Sequence, residues 1–324
     1  MKALLCTRLG GPEDLSVEDV ADPVAGPAEA LVRVRAAALN FFDTLIIAGK
    51  YQVKPELPFS PGGEACGVVE ALGAGAEGIA VGDRVMVHLS HGTARERIAV
   101  PVSLLARVPD GVSDEVAAGL SITYGTTLHA LVDRARIQPG ETLVVLGASG
   151  GVGLAAVELG KLLGARVIAC ASSPEKLEVA RAHGADDLID YRADNLREAL
   201  RRLAPEGVDV VYDAVGGELA EPAMRALAWK GRFLVIGFAA GEIPKFPLNV
   251  IMLKGIDVQG VHWGAFVERE PALHQKNQAQ LLAWAAQAQL TVKVHGVYPL
   301  DAYEEALGIL KRREASGKVI LKVS

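Results

Sequence analysis

The sequence predicts an α/β protein in which a doubly wound parallel sheet stands beside a compact, mostly-β domain. Three observations carry that prediction. From about Ile122 onward, short apolar strands alternate with helical stretches, the pattern of βαβ units with helices on both sheet faces. Residues 1 to about 120 instead hold short valine-bearing segments punctuated by Gly, Pro and Asp. Within the alternating part, an uncharged strand, a glycine-rich turn and a helix follow one another from Thr142 to Gly164.

That last stretch organises the rest. Thr142 to Leu146 reads as a short buried strand, Gly147-Ala148-Ser149-Gly150-Gly151-Val152-Gly153 as the turn, and Leu154 to Leu163 as the helix. A pyrophosphate resting on a helix N-terminus needs free backbone N–H groups and the positive end of the helix dipole. It also needs the backbone to come close, which a Cβ obstructs, so Gly150 and Gly151 suit the site and Gly153 lets the helix pack on the strand. Counted back from Gly153, the spaced positions are Ala148, Gly150 and Gly153, an A-x-G-x-x-G variant of the dinucleotide fingerprint. The segment is therefore read as the phosphate-binding corner of a Rossmann domain.

The other elements follow in order. Alternation of Val32 and Val34 with Arg33 and Arg35 marks a half-buried strand, and Gly67 to Leu72 and Asp83 to Val87 read as two more. Pro109 to Ser113 is a turn leading into a helix from Asp114 to about Leu120. Beyond the glycine turn, strands are expected at 166–170, 187–190, 208–213, 232–237 and 256–261, with helices at 174–183, 195–203 and 219–229. Helices at 275–289 and 301–311 and a final strand at 317–323 resemble the start of the chain, and the tail is read as returning to complete the first sheet. The expected division is 1–121 with 265–324 for the mostly-β domain and 122–264 for the Rossmann domain.

Bulk properties narrow the function. A length of 324 residues, half of them hydrophobic, suits two domains, and a net charge of −6 argues against nucleic acid as a partner. Apolar runs are broken by Gly or charge before membrane-spanning length, and Met1 to Leu5 does not read as a signal peptide. Cys6, Cys66 and Cys170 are isolated thiols without C-x-x-C spacing, which suits a reducing, cytoplasmic setting. At the end of the second Rossmann strand, an acid about 20 residues past the turn selects NAD by accepting hydrogen bonds from the ribose. Here Ala171, Ser172 and Ser173 occupy that place, Lys176 follows within the first helical turn, and Tyr191 ends the third strand beside Arg192. Small hydroxyl residues with nearby cations suit a 2′-phosphate, so the expected cofactor is NADPH.

These motifs together resemble the medium-chain dehydrogenase/reductases, and within them the zinc-free NADPH:quinone oxidoreductase, or zeta-crystallin-like, branch. The resemblance spans the chain: Asn40-Phe41-Phe42-Asp43, Pro61-Gly62-Gly63-Glu64-Ala65-Cys66-Gly67, Val81-Gly82-Asp83-Arg84-Val85, Tyr124-Gly125-Thr126-Thr127, the glycine turn, and Gly317-Lys318-Val319-Ile320-Leu321. It implies a GroES-like catalytic domain built from both chain ends, an inserted Rossmann domain, and an active site in the cleft between them. It implies a homodimer as well, which an unprotected last strand near Val258 to Val261 would also invite.

The zinc enzymes of the same superfamily ligate catalytic zinc with Cys, His and Cys. The matching positions here are Asn40, Gly63 and about Ala118, and the four-cysteine structural zinc loop is absent. No metal site is therefore expected, and His88 and His91 are read as loop histidines. By resemblance, Asn40 and Tyr51 lie at the acceptor pocket, where an amide and a phenol hydrogen-bond a quinone oxygen. Asp43 matches a retained acid, and Leu45 stands where some relatives have tyrosine. Thr127 lies on the nicotinamide ribose side, while Gly237 and Phe238 with His262, Trp263 and Gly264 cover the nicotinamide. The implied activity is NADPH-dependent reduction of a quinone. Reduction of an activated C=C bond is the alternative, and a non-catalytic NADPH-binding, crystallin-like protein is the alternative outside enzymes.

Overall fold

The structure, a computed structural model, describes all residues from Met1 to Ser324. In chain order it contains β1 (Lys2–Cys6), β2 (Leu15–Asp19), β3 (Glu29–Leu39), α1 (Phe41–Ile47), β4 (Glu64–Leu72), β5 (Arg84–His88), β6 (Arg97–Pro101), β7 (Leu105–Arg107) and α2 (Asp114–Leu128). The glycine turn lies between β8 (Thr142–Leu146) and α3 (Gly151–Leu162). Then come β9 (Arg166–Ala171), α4 (Pro174–Ala182), β10 (Asp187–Asp190), α5 (Leu196–Leu203), β11 (Val208–Asp213), α6 (Ala220–Arg225), β12 (Leu227–Val235), α7 (Leu248–Lys254) and β13 (Asp257–Gly260). The chain closes with α8 (Trp263–Arg269), α9 (Pro271–Ala286), β14 (Val294–Pro299), α10 (Tyr303–Lys311) and β15 (Lys318–Lys322). It divides into two compact units, Met1–Ile122 with Ala272–Ser324, and Thr123–Pro271. Residues 265–271 fall in the second unit, where Phe266 stacks on His129 with ring centroids 3.9 Å apart.

In the first unit the main sheet runs β14-β15-β3-β4-β5-β7, with β6 also paired to β3. Alternation in β3 buries Ala30, Val32 and Val34 and turns Arg33 outward, where Arg33 and Arg97 each hold one oxygen of Glu70 at 2.9 Å. The C-terminal return is real: β15 pairs antiparallel with β3, from Val319 opposite Leu39 to Lys322 opposite Ala36, and β14 lies parallel to β15. Leu307 and Leu310 of α10 join the core that holds Val32, Val34, Ile46 and Val85.

The second unit is a six-stranded sheet of order β10-β9-β8-β11-β12-β13, parallel throughout. The chain works outward from β8 in one direction, then crosses back to build the other half from β11. Ligands in such sheets bind at that crossover, at the carboxyl ends of the strands. The central strand β8 is buried from Leu143 to Leu146, as a strand covered on both faces must be.

Three helices differ from their expected spans. The helix from Asp114 runs on to Leu128 and continues as a π-helical turn to Arg134, no proline intervening before Pro139. The helix expected over 219–229 stops at Arg225, because Leu227 pairs with Val208 and the Lys254 ammonium takes the carbonyls of Arg225 at 2.8 Å and Leu227 at 2.6 Å. Helix α9 begins earlier than expected, with Pro271 as its first residue.

The tightest backbone approach in the second unit is at the glycine turn. A Cβ on Gly153 would lie 2.1 Å from the Gly147 carbonyl oxygen and 3.0 Å from Ala148 Cα. Gly153→Ala is therefore expected to destabilise the protein by about 3 kcal/mol or more. A denaturant midpoint unchanged from the parent would contradict this packing.

Candidate functional site

The turn between β8 and α3 has its left-handed residue at Gly147, with φ +72°. The A-x-G-x-x-G count begins one residue later, at Ala148, which is fully buried. The Gly147 and Ala148 N–H groups donate to the Cys170 carbonyl at 3.0 and 3.1 Å, and the Gly150 N–H donates to the Gly147 carbonyl at 3.1 Å. Ser149 is buried within this turn. Gly150 caps α3, so Gly151, Val152 and Gly153 form the first helical turn, whose N–H groups have no intrahelical acceptor. A Cβ on Gly150 would have only the Gly147 oxygen near it, at 3.6 Å, so the space over the turn is open to a ligand. This cradle fits a pyrophosphate.

The ends of the neighbouring strands converge on the same edge. Ser173 caps α4, its hydroxyl accepting from the Lys176 N–H at 3.4 Å, while Lys176 Nζ lies 3.4 Å from Ser172 Oγ. Tyr191, just past β10, donates its N–H to the Ala171 carbonyl at 3.2 Å and so stands beside the end of β9. Ser172, Ser173, Lys176 and Tyr191 are thus gathered at the carboxyl ends of β9 and β10. The Thr127 hydroxyl is buried, 2.8 Å from the Thr123 carbonyl, 2.9 Å from Tyr212 Oη and 3.4 Å from the Val152 carbonyl, so it backs the glycine turn. At the end of β11, Asp213 accepts the N–H groups of Val215 and Gly216 at 2.9 and 2.8 Å, and its backbone carbonyl takes those of Ile236 and Gly237. Burial raises the Asp213 carboxyl above its ordinary range, while the two N–H donors to its side chain pull it down. Phe238 is 41 % exposed and His262 is exposed, whereas Trp263 is buried.

In the first unit, Asn40 caps α1 and its backbone N–H donates to Asp43 Oδ2 at 2.7 Å. Its amide sits in a buried ion pair: Nδ2 donates to Glu64 Oε1 at 2.9 Å, and Lys318 Nζ donates to Asn40 Oδ1 at 2.5 Å and to Glu64 Oε1 at 2.6 Å. The other Glu64 oxygen accepts the Ile122 N–H at 2.7 Å. One Nδ2 hydrogen of Asn40 is left for an acceptor. Asp43 is fully buried and takes the Gly62 N–H on its second oxygen at 3.0 Å. Burial pushes the Asp43 carboxyl up to about 7, against the pull of those N–H donors and the Lys318 ammonium, and the Glu64 charge adds to the rise. Tyr51 stacks on Phe42 with centroids 5.5 Å apart, and burial and the nearby Asp43 raise its phenol above the ordinary range.

The zinc-equivalent positions hold no ligand set. Gly63 has no room for a larger side chain, since a Cβ there would lie 3.0 Å from both Ile122 Cδ1 and Phe42 Cζ. No three His, Cys, Asp or Glu side chains are grouped to hold a metal. His88 is not a loop residue: it closes β5 and meets His274 edge-on at 6.1 Å, while His91 meets Phe59. Burial pushes His88 and His274 down to about 3 and about 4 respectively, so both are neutral near pH 7. Sequence reasoning missed Gly147, Asp213 and the Glu64–Lys318 pair. An acid and a lysine each opening an apolar strand were the available signals.

Two outcomes follow. Lys318→Met should cost about 3–5 kcal/mol, because it strands the Glu64 carboxylate, and adding Glu64→Gln should recover much of that loss; denaturant unfolding of the three chains measures it. The folded value of Asp43 lies above its unfolded one, so the folded state holds the proton longer. Stability should then decline as pH rises from about 4 to about 7. Midpoints measured across that range should show this slope, and Asp43→Asn should remove it.

Residues 26–110 match the family model of the alcohol dehydrogenase GroES-like domain, and residues 151–279 that of the zinc-binding dehydrogenases. The chain is 37 % identical over 324 residues to quinone oxidoreductase-like protein 2 of Rattus norvegicus, covering 99 % of this chain and 92 % of that one. Among solved structures it resembles the quinone oxidoreductase of Thermus thermophilus, solved also in complex with NADPH, at 35 % identity, TM-score 0.87 and full coverage of both chains. It resembles the Escherichia coli quinone oxidoreductase complexed with NADPH at 29 % identity and TM-score 0.92, covering 99 % of this chain and 100 % of that one. The chain belongs to the zinc-free quinone oxidoreductase branch of the medium-chain dehydrogenase/reductases.

Proposed function

We propose that this oxidoreductase uses NADPH to reduce a quinone without a metal. The observation that carries the reading is the end of β9, where Ala171, Ser172 and Ser173 stand in place of a ribose-binding acid and Lys176 Nζ lies 3.4 Å from Ser172 Oγ. An acid there would repel a 2′-phosphate; hydroxyls and an ammonium favour it. The NADPH complexes of the Thermus thermophilus and Escherichia coli relatives support the same cofactor. The glycine turn and the start of α3 hold the pyrophosphate, and Ser172, Ser173, Lys176 and Tyr191 hold the 2′-phosphate end. Gly237, Phe238, His262 and Trp263 are assigned to the nicotinamide side. Bound there, NADPH supplies a hydride.

Asn40, Gly63 and Ala118 offer no thiolate, imidazole or carboxylate, so this chain provides no Lewis acid to polarise a simple carbonyl. An acceptor that is already electron-poor needs none, and a quinone is one. The remaining Asn40 Nδ2 hydrogen and the Tyr51 hydroxyl are the donors assigned to its oxygen. An ordinary phenol is already protonated at neutral pH, so Tyr51 carries a proton to give there, while burial and Asp43 shift it further upward.

A second copy of the chain is the proposed partner. Strand β13 is the edge of the parallel sheet, and Trp229, Leu248, Met252 and Leu253 are exposed by 68 %, 76 %, 72 % and 68 %. An open edge beside so much exposed apolar surface favours pairing between copies. No helix is long and apolar enough to cross a membrane. All three cysteines are free and buried, which suits the reducing cytoplasm proposed for it.

The activity is tested by NADPH oxidation with chelator-treated protein, offering an ortho-quinone and an α,β-unsaturated ketone in parallel. Quinone turnover that survives chelation is expected. Turnover with the enone alone would reassign the chain to the activated double-bond reductases, and loss on chelation would overturn the metal-free reading. Lys176→Ala should weaken NADPH about tenfold and leave NADH nearly unchanged, as fits one lost charge-assisted hydrogen bond; equal loss of both would remove Lys176 from the 2′-phosphate site.

A further inference from the structure

Helix α3 carries a buried acid that the proposed chemistry does not use. Leu154, Ala155, Ala156, Val157 and Leu159 are the buried residues around it, yet Glu158 is itself only 7 % exposed. A carboxylate in such surroundings is costly unless paired and hydrogen-bonded. Glu158 has a partner on each side. Tyr124 of α2 donates its hydroxyl to Oε2 at 2.8 Å, and His183, at the C-terminal end of α4, meets Oε1 through Nδ1. Side chains of His183 and Glu158 are 11 % and 6 % exposed, so this pair is screened far less than a surface one.

The helices that Glu158 joins carry the two halves of the cofactor site. Strands β8 and β9 are parallel neighbours, so α3 and α4 both start at the same sheet edge. Helix α3 starts with the pyrophosphate turn, and Glu158 sits two turns below it, roughly 10 Å along the axis. Helix α4 starts with Ser173 and Lys176 and ends at His183. Tyr124 stands one turn before Thr127, whose hydroxyl backs the glycine turn from 3.4 Å. A second tie between α3 and the segment after α4, from Lys161 to Asp186, is about one-third exposed on both sides, and such a pair holds geometry weakly.

We infer that Glu158 is a positioning residue for cofactor selection: by holding His183 it sets the 2′-phosphate end of the site, at the start of α4, relative to the pyrophosphate turn at the start of α3. The inference rests on the NADPH reading above. Severing the tie frees α4 to shift, and a ligand that needs both helix starts at once loses affinity. One that needs only the turn does not. The effect is therefore on selectivity for the 2′-phosphate rather than on binding in general.

The full-length chain would be titrated with 2′,5′-ADP and with 5′-AMP by calorimetry. Glu158→Leu removes the carboxylate and leaves the His183 and Tyr124 groups without it, so a loss of stability is expected and the readout is the ratio of the two affinities, measured well below the variant's unfolding midpoint. This substitution should weaken 2′,5′-ADP about tenfold, in the range a displaced charge-assisted contact costs, with 5′-AMP within about twofold of the parent. Glu158→Gln, whose amide oxygen keeps the contact with His183 while its N–H donates to the Tyr124 hydroxyl oxygen, should restore most of the affinity. His183→Phe, which cuts only the α4 side, should reproduce the selective loss, and Tyr124→Phe should not. Equal weakening of both ligands in Glu158→Leu, or no weakening in either Glu158→Leu or His183→Phe, would overturn the inference. A parent chain that binds 2′,5′-ADP no better than 5′-AMP would instead refute the NADPH reading, and the positioning role would fall with it.

Discussion

Helix α3 can stand where it does only because Gly153 presses its bare Cα against the Gly147 carbonyl, where a Cβ would come within 2.1 Å. That approach brings the first turn of the helix onto the end of β8, with its N–H groups facing the open space above Gly150. The dipole and those donors together make an anion site without any charged side chain. Other features of the second unit serve this corner. Thr127 backs it, Cys170 accepts the N–H groups of its first two residues, and the parallel order of β8 and β9 puts the start of α4 alongside.

The first unit depends on a different constraint. Its sheet is assembled from strands near both ends of the chain, and their meeting is sealed by Glu64 and Lys318, which lie 254 residues apart in sequence. Both charges are buried, so neither is tolerable without the other. Asn40 joins them through both ends of its amide, and Asp43 lies fully buried one helical turn away. These polar groups of the first unit are therefore held rigidly. Preorganisation of that kind would lower the reorganisation needed for the proposed chemistry, in which charge develops on a quinone oxygen.

The two units also handle buried charge differently. Glu64 faces an ammonium, whereas Glu158 faces a phenol and an imidazole, partners that fix direction as much as charge. On α3 this matters because the helix must hold one angle to α2 and to α4 while its N-terminus faces a multiply charged ligand. An all-apolar contact would allow sliding; a hydrogen-bonded carboxylate between two helices does not.

Features legible in the chain alone are local and periodic. The strand–turn–helix at 142–164, the missing acid after β9, the alternation in β3 and the succession of Rossmann strands along the chain all depend on neighbours a few residues away, and each is found in the structure. Absence of zinc ligands at Asn40, Gly63 and Ala118 was legible too, once the motifs placed those positions. The remaining features were settled by packing. Only a backbone conformation shows that Gly147, not Ala148, makes the tight turn. Helix α6 ends at Arg225 because Lys254 and β11 claim the next residues, which its Ala- and Leu-containing sequence does not announce. Asn40 and Lys318 are 278 residues apart, and nothing in the run around either names the other. His88 faces His274 rather than its sequence neighbour His91 for the same reason. Periodicity reports which face of an element is buried; which distant group meets a buried polar atom is set by how the elements pack, because a buried charge must find its partner wherever the fold brings one.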